Sequence, residues 1–272
     1  MAELNAPEGV AVDTAGNFYI ADTKNNKIRK VSSLGTITTV AGTVSSGSSG
    51  DGGPATMAEL DAPSGVAVDT AGNLYIADTK NNKIRKVSSL GTITTVAGTG
   101  SSGSIGDGGP ATMAQLKAPE GVAIDTAGNL YIADTKNDKI RQVSSLGTIT
   151  TVAGTGSSGF FGDGGPATLA QLKAPSGVAV NTAGNFYIAD TKNMRIRFVE
   201  TSSPSTFAPS SEPSFKPTYC PSSAPTNFPI YAPTIVPTGT PSAVPTAVPS
   251  FKASSSPHRY PSNPKCDERR KI

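Results

Sequence analysis

Residues 7–31 read PEGVAVDTAGNFYIADTKNNKIRKV, and this stretch contains the pattern of three short β-strands. The runs at 9–13 and 18–22 are rich in Val, Ile and Tyr and are separated by the turn-forming residues TAGN. Because both runs are apolar on both faces, they predict strands that are covered on both sides. The third run, 26–31, alternates basic with apolar residues, so we expect Arg29 to lie on a more solvated outer strand.

A fourth run, TITTVA at 36–41, follows the short turn SLG. The A-P-x-G-V-A motif at the start of the unit returns every 56 residues, and the first two copies match at 50 of 56 positions. Tandem units of four strands, graded from buried to exposed, predict the blades of a β-propeller with the first strand of each blade innermost. The proline of the motif stands at Pro7, Pro63, Pro119 and Pro175.

The fourth copy is incomplete, because it stops after its third strand at 194–199 and no TITTVAG follows. The prediction is therefore 15 strands in four blades, the last of which lacks its outer strand. Residues 1–6 align with the linker at 57–62, so the N-terminus does not supply that strand. This arrangement predicts a fragment of a larger propeller, and the alternative is a genuine ring of four blades.

The consensus P-x-G-V-A-V-D-x-x-G-N-x-Y-I-A-D-x-x-N-x-x-I-R-x-V resembles the NHL repeat. It occurs at 7–31, 63–87, 119–143 and 175–199. The GDGGPAT segments between copies resemble those of NHL propellers found in secreted and cell-surface proteins. The resemblance covers residues 1–200 and implies an all-β propeller of NHL-type blades, located outside the cell or at its surface. It does not fix a function, because this fold serves binding platforms and enzymes alike.

Composition excludes several chemistries from residues 1–200. This region contains neither His nor Cys, which removes His or Cys nucleophiles and His or Cys zinc sites. Its 16 Lys and Arg against 17 Asp and Glu give a net charge of −1, so no nucleic acid is expected as a partner. No apolar run of about 18 residues is present, so no membrane span is expected.

Residues 201–272 differ in composition from the repeats. Prolines recur every four residues from Pro209 to Pro249, with Ser and Thr between them. This pattern predicts a disordered but extended stalk, which resembles the O-glycosylated stalks of secreted or wall-associated proteins; an unmodified linker is the alternative. The two cysteines, Cys220 and Cys266, pair if the chain is secreted, or remain free thiols, or link to another chain.

The GDGGP sequence at 50–54 superficially suggests a calcium or phosphate loop. It offers one carboxylate, Asp51, where calcium takes about six to eight oxygen ligands, and it lacks the Lys-Ser/Thr step of a phosphate loop. We therefore expect a flexible turn. The following residues, 55–60, are expected to form one helical turn in which Leu60 covers the edge of a blade.

Successive loops of a blade alternate between its two ends, so the ADTKN turn shares an end with the long loop that leads to the next blade. This decorated face is the predicted binding face. The aromatic pair Phe160 and Phe161 replaces polar residues in the third long loop, and forms either an exposed apolar spot or a small local core. The other predicted binding residues are Lys24, Lys80, Lys136 and Lys192, together with Asp51, Asp107 and Asp163.

Two sets of repeated aspartates are assigned structural roles instead. The first set ends the innermost strand, where Asx turns are common, and the second set ends the next strand, where a carboxylate caps turn amides. The first set is Asp13, Asp69 and Asp125; the second is Asp22, Asp78, Asp134 and Asp190.

An alternative site lies at the entrance of the innermost strands, where Glu8 and Glu120 alternate with Ser64 and Ser176. If four blades close, the two glutamates face one another across the channel. This resembles gluconolactonase-like propellers, in which an acid near this position helps to bind a divalent metal such as Ca²⁺. Those enzymes assemble their sites from diverged blades, whereas these blades are nearly identical.

The sequence therefore favours a non-catalytic interaction module without a cofactor, which presents a repeated face to a protein or glycan partner. The alternative is a divalent-metal-dependent hydrolase or lactonase. Self-association through open propeller edges is also expected.

Overall fold

The computed structural model describes residues 3–201, so the predictions for the stalk, Cys220 and Cys266 lie outside the described residues. Between residues 3 and 201, fifteen β-strands form four antiparallel sheets, of which the fourth has three strands, and this confirms the predicted blades. Blade 1 contains β1 Pro7–Val12, β2 Phe18–Asp22, β3 Lys27–Val31 and β4 Ile37–Ala41; blade 2 contains β5 Pro63–Val68, β6 Leu74–Asp78, β7 Lys83–Val87 and β8 Ile93–Ala97; blade 3 contains β9 Gly121–Ile124, β10 Leu130–Asp134, β11 Lys139–Val143 and β12 Ile149–Ala153; blade 4 contains β13 Gly177–Val180, β14 Phe186–Asp190 and β15 Arg195–Val199.

Each helical segment between residues 3 and 201 is a three-residue 3-10 turn, too short to cross a membrane. One set follows the second strand of each blade and the other follows the GDGGP segment. The first set is Thr23–Asn25, Thr79–Asn81, Thr135–Asn137 and Thr191–Asn193; the second is Ala55–Met57, Ala111–Met113 and Ala167–Leu169.

The innermost strands approach one another closely around a common axis. This requires glycine near the start of the inner strands of blades 1 to 3, because a Cβ on Gly9 would collide with the carbonyl oxygen of Ser64. The same collision relates Gly65 to Glu120 and Gly121 to Ser176. The G-V-A motif therefore positions the four blades around one axial depression.

Hydrophobic packing between neighbouring blades forms the core. Tyr19 and Ile28 of blade 1 pack with Leu74 and Ile76 of blade 2, and the second strand of blade 2 is buried along its whole length. Equivalent clusters join blade 2 to blade 3 and blade 3 to blade 4. Each apolar side chain buried in this way contributes about 1.5–3 kcal/mol.

Among the described residues, no corresponding cluster joins blade 4 to blade 1. Val10 is 64% exposed, whereas its equivalent Val66 is 6% exposed. At the other end, Ile196 is 70% exposed, whereas its equivalent Ile140 is fully buried. The four blades therefore form an arc whose two apolar edges face solvent, and the closed four-bladed ring is not formed.

The GDGGP segment is an ordered cap rather than the flexible turn that we expected. Gly52 N donates to the Ile93 carbonyl at 2.8 Å and Ile93 N donates to the Gly53 carbonyl at 3.1 Å, so the segment pairs with the outer edge of β8. Gly52 has a φ of +83°, which favours glycine at this position. Ala55–Met57 then forms one 3-10 turn and Leu60 is fully buried, as predicted.

Candidate binding face

Buried aspartates position the ADTKN turns. Asp78 is fully buried, and its Oδ1 accepts from the Asp61 amide at 2.8 Å, while both of its oxygens accept from Asn81 Nδ2 at 2.9 Å. Arg85 Nη1 lies 3.3 Å from Asp78 Oδ2. The predicted structural role of this second aspartate set is therefore confirmed.

Burial dominates the ionisation of these carboxyl groups. Desolvation raises the pKa of Asp78 above its ordinary value. Desolvation also raises the pKa of Asp134 to about 6, and it outweighs the opposing hydrogen bonds from Asn137 and the Lys117 amide and the charge of Arg141. The turn is thus held by an aspartate carboxyl group whose charged form is disfavoured by burial.

The aspartates of the first set form the predicted Asx turns. Asp13 Oδ1 accepts from the amides of Ala15 at 3.0 Å and Asn17 at 2.9 Å, and Asn17 Nδ2 donates to Asp13 Oδ2 at 2.7 Å. Hydrogen bonds, chiefly from Asn17, lower the pKa of Asp13. These contacts close the hairpin between the first two strands.

The four lysines of the ADTKN turns are exposed and lie at the end of the propeller where the inner strands begin. The Lys80 amide donates to the Asp61 carbonyl at 3.2 Å, which fixes the turn against the linker that enters the blade. Thr79, the residue before the lysine, shares a 2.5 Å hydrogen bond with Ser64 at the strand entrance. The structure therefore places Lys24, Lys80, Lys136 and Lys192 at the end of the blades where the linkers enter and the inner strands begin.

The axial depression has a volume of about 440 Å³ and is lined by the inner strands of all four blades. Glu8 and Glu120 both line it. Partial burial, and then the charge of Glu8, raise the pKa of Glu120, while Lys136 and Lys192 oppose the shift. The ionisation of Glu120 therefore responds to a carboxylate of blade 1 and to lysines of blades 3 and 4.

The fit of a divalent metal to this depression is poor. Calcium takes about six to eight oxygen ligands, and the depression supplies two carboxylates. Ser64 donates to the Glu120 carbonyl at 2.9 Å, and Ser176 shares its hydroxyl hydrogen bond with Thr191. Between residues 3 and 201, no group of three or more His, Cys, Asp or Glu side chains is arranged to hold a metal ion.

The aspartates of the GDGGP caps bind arginines. Asp51 Oδ1 lies 2.8 Å from Arg85 Nη2, and Asp107 Oδ1 lies 2.7 Å from Arg141 Nη2. Both arginine side chains are fully buried, so the expected solvated position of the third-strand arginines is wrong. The reason is that each arginine lies between two carboxylates, one from the cap and one from the second strand of its blade.

Sequence reasoning missed this ion-pair network, although a signal was present. Every complete copy combines an aspartate in GDGGP with an arginine at the same distance downstream. In blade 1, Arg29 pairs with Asp22 at 3.3 Å and its buried Nε has no hydrogen-bond partner. The cap aspartates thus tie each insertion to the following blade, while their role in binding a partner stays a prediction.

Phe160 and Phe161 form an exposed apolar spot rather than a local core. They are 50% and 67% exposed, and their rings stack with centroids 4.7 Å apart. The guanidinium carbon of Arg195 lies 5.3 Å from the centroid of the Phe160 ring. The pair therefore offers a preformed aromatic surface beside the start of β15.

Comparison with known proteins identifies the repeats. The model of the Teneurin NHL domain matches residues 43–105 and 99–159, and the NHL repeat model matches residues 4–31 and 172–197. Human Teneurin-1 is 32% identical over 224 residues, which cover 73% of this chain and 8% of Teneurin-1. The chain thus spans a small part of the length of the curated relatives it matches.

Solved structures share the fold. A Bacteroides thetaiotaomicron protein of unknown function has a TM-score of 0.58 at 22% identity, covering 71% of this chain and 47% of that chain. An auxiliary nutrient binding protein from Bacteroides ovatus has a TM-score of 0.55 at 21% identity, covering 72% and 48%. At these identities the likeness shows the fold alone.

Proposed function

Because the repeats of this chain form an NHL-repeat β-propeller, we propose that it works as a non-catalytic module that binds a partner protein. The observation that carries this proposal is the repetition of one exposed lysine turn around one axial depression. Nearly identical blades supply the same groups four times, whereas a catalytic site needs different groups in fixed places. A repeated surface of this kind suits binding.

The charge distribution of the face supports contact with a protein of mixed charge. Glu8 and Glu120 line the depression, and the charges of Lys136 and Lys192 act on Glu120, so groups of both signs lie at this end of the blades. Such patterns steer association and give specificity, and their contribution falls as salt rises. An extracellular or cell-surface location goes with this proposal and is supported by the GDGGPAT segments.

A screen of the full chain against purified extracellular protein domains, with a glycan array in parallel, tests the proposal. The informative variant is Lys24→Glu/Lys80→Glu, on the turns of blades 1 and 2. The matched control is Lys30→Glu/Lys86→Glu, which makes the same charge change on β3 and β7 of the same blades. We expect a protein ligand whose binding weakens at least tenfold in the first variant and is retained in the control. Equal binding by both variants, or binding to glycans alone, would contradict the proposal.

The alternative function is the metal-dependent hydrolase or lactonase. The observation in its favour is that Glu8 and Glu120 line the same depression and that the charge of Glu8 raises the pKa of Glu120. Calorimetric titration of calcium into wild type and Glu120→Ala distinguishes the two functions. Heat that depends on Glu120 would support the alternative, and no heat with wild type eliminates it.

A further inference from the structure

A groove of about 360 Å³ runs along the outer edge of blade 4. One wall is the edge of β15, including Arg197 and Val199, that pairs with no other strand between residues 3 and 201. The other wall is the cap segment 162–167. Leu172 and Ile188 also line it. The groove therefore has two backbone edges and an apolar lining.

The corresponding space in blade 3 is filled by β12. One side of β12 pairs with β11 in antiparallel register. On its other side, Gly108 N donates to the Ile149 carbonyl at 2.8 Å and Ile149 N donates to the Gly109 carbonyl at 3.0 Å. The Ile149 side chain is fully buried. A strand in this position is thus paired on both edges and anchored by a branched aliphatic residue.

In blades 2 and 3, a hydroxyl group of the outer strand donates a hydrogen bond to the aspartate of the GDGGP cap. Thr151 Oγ1 donates to Asp107 Oδ2 at 2.7 Å, and Thr95 makes the same 2.7 Å bond to Asp51. In blade 4, Asp163 binds Arg197 through Oδ1 at 2.6 Å, and its Oδ2 lies 3.7 Å from Arg195 Nη1. The Asp163 side chain is 67% exposed against 41% for Asp107. Asp163 lines the groove, and no hydroxyl among the described residues donates to it as Thr95 and Thr151 donate to the other two cap aspartates.

The aromatic pair described above occurs beside this groove and beside no filled one. Phe160 and Phe161 stand immediately before the cap segment that forms one wall, whereas the first copy has Ser48 and Ser49 at these positions. Exposed aromatics at the rim of a groove are typical anchors for a protein ligand. The third copy, which has Phe at both positions, is thus the copy that borders the groove of blade 4.

The residues that follow β15 do not carry the sequence of an outer strand. The filled blades place Ile, Thr and Ala at alternate positions, as in Ile149, Thr151 and Ala153. At the same repeat spacing this chain has Ser205, Phe207 and Pro209. Serine at the position equivalent to Ile149 lacks the apolar side chain that anchors the strand, and proline has no N–H to donate to a neighbouring strand. Residues 205–209 therefore do not carry the pattern that fits the groove.

We propose that the outer groove of blade 4 binds an extended segment of a partner protein as an antiparallel fourth strand. The segment has a branched aliphatic residue that enters the apolar lining, and a Thr or Ser two positions later that donates to Asp163. Backbone hydrogen bonds to both walls provide affinity, and alternate side chains provide specificity. This site is separate from the lysine-lined face and does not rest on binding there.

Fluorescence anisotropy of a labelled peptide, GTITTVAG, titrated with the full 272-residue chain tests the proposal. We expect saturable binding that weakens tenfold or more when the peptide isoleucine is replaced by serine. Asp163→Asn should weaken binding about tenfold. The matched control Asp107→Asn changes the equivalent aspartate of a filled blade and should leave the affinity unchanged.

A second variant keeps the test decisive if Asp163→Asn disturbs folding. Phe160→Ser/Phe161→Ser restores the polar character of the first copy without touching Arg197, and should also weaken binding. Hydrogen exchange should show new protection at 195–199 and 164–167 when the peptide is bound. Absent binding, equal affinity for the serine peptide, or equal loss in Asp107→Asn would overturn the proposal. A dimer of this chain that the peptide dissociates would assign the groove to a second copy and would overturn it as well.

Discussion

The first three strands of blade 3 and blade 4 have similar sequences, yet the two blades differ in the residues that cover these strands. Ile140 of blade 3 is fully buried, whereas the identical residue Ile196 of blade 4 lies against solvent. Asp107 completes its hydrogen bonds with Thr151 of the outer strand, whereas Asp163 faces an open groove. In a repeat protein the environment of a residue is thus set by its neighbouring repeat and outer strand, and not by its own sequence.

The largest expected consequence of this difference is in stability. Ile140→Ala removes a buried side chain at a blade junction and should lower the free energy of unfolding by about 2–5 kcal/mol. The same substitution at Ile196 should cost less than about 1 kcal/mol, because the side chain is already exposed. Chemical denaturation of the two variants measures the contrast, and similar losses would show that blade 4 has a neighbour on that side.

A smaller effect concerns pH. The folded-state pKa of Asp134 is raised to about 6, so its contribution to stability is present in full below its unfolded value and is lost as the pH rises through about 6. We expect Asp134→Asn to flatten the pH dependence of the free energy of unfolding between about pH 4 and pH 6, by on the order of 2 kcal/mol. Asp138→Asn, which restores the residue of the first two copies, is the control. An unchanged slope in Asp134→Asn would refute the assignment.

The smallest effect is self-association through the two open edges, which we propose from the exposure of Val10 and Ile196. The edges are the two halves of an interface that the chain already makes three times internally. Light scattering should show a mass that rises with protein concentration, and Ile196→Lys should suppress the rise. Leu90→Lys, at an exposed turn, should not. A constant monomer mass for wild type contradicts self-association.

The strands and the number of blades could be predicted because hydrophobic runs, turn residues and a fixed repeat are local properties. The roles of Asp13 and Asp78 followed in the same way, from their places at strand ends. The burial of Arg85 could not be read from its own strand, because basic and apolar residues alternate there as they do on a solvated strand. Its second carboxylate comes from an insertion 34 residues earlier in the chain.

The incomplete fourth copy predicted open propeller edges, but the geometry of the arc could not be predicted from local patterns. Whether four blades close depends on the angle between neighbouring blades, and side-chain packing at each junction sets that angle. Every copy carries similar packing residues, so the sequence does not indicate at which blade the packing ends. For the same reason the lysine turns could be assigned to one face, whereas the groove beside β15 became visible only in three dimensions.

Native-state hydrogen exchange of the full chain tests the difference between blades 3 and 4 most directly. The amides of β11 are paired on both edges, whereas β15 pairs with β14 alone among the described strands. The account predicts strong protection along β11 and fast exchange of those β15 amides that point into the groove. Equal protection of the two strands in the unliganded chain would show that the groove is already filled, and would contradict the account.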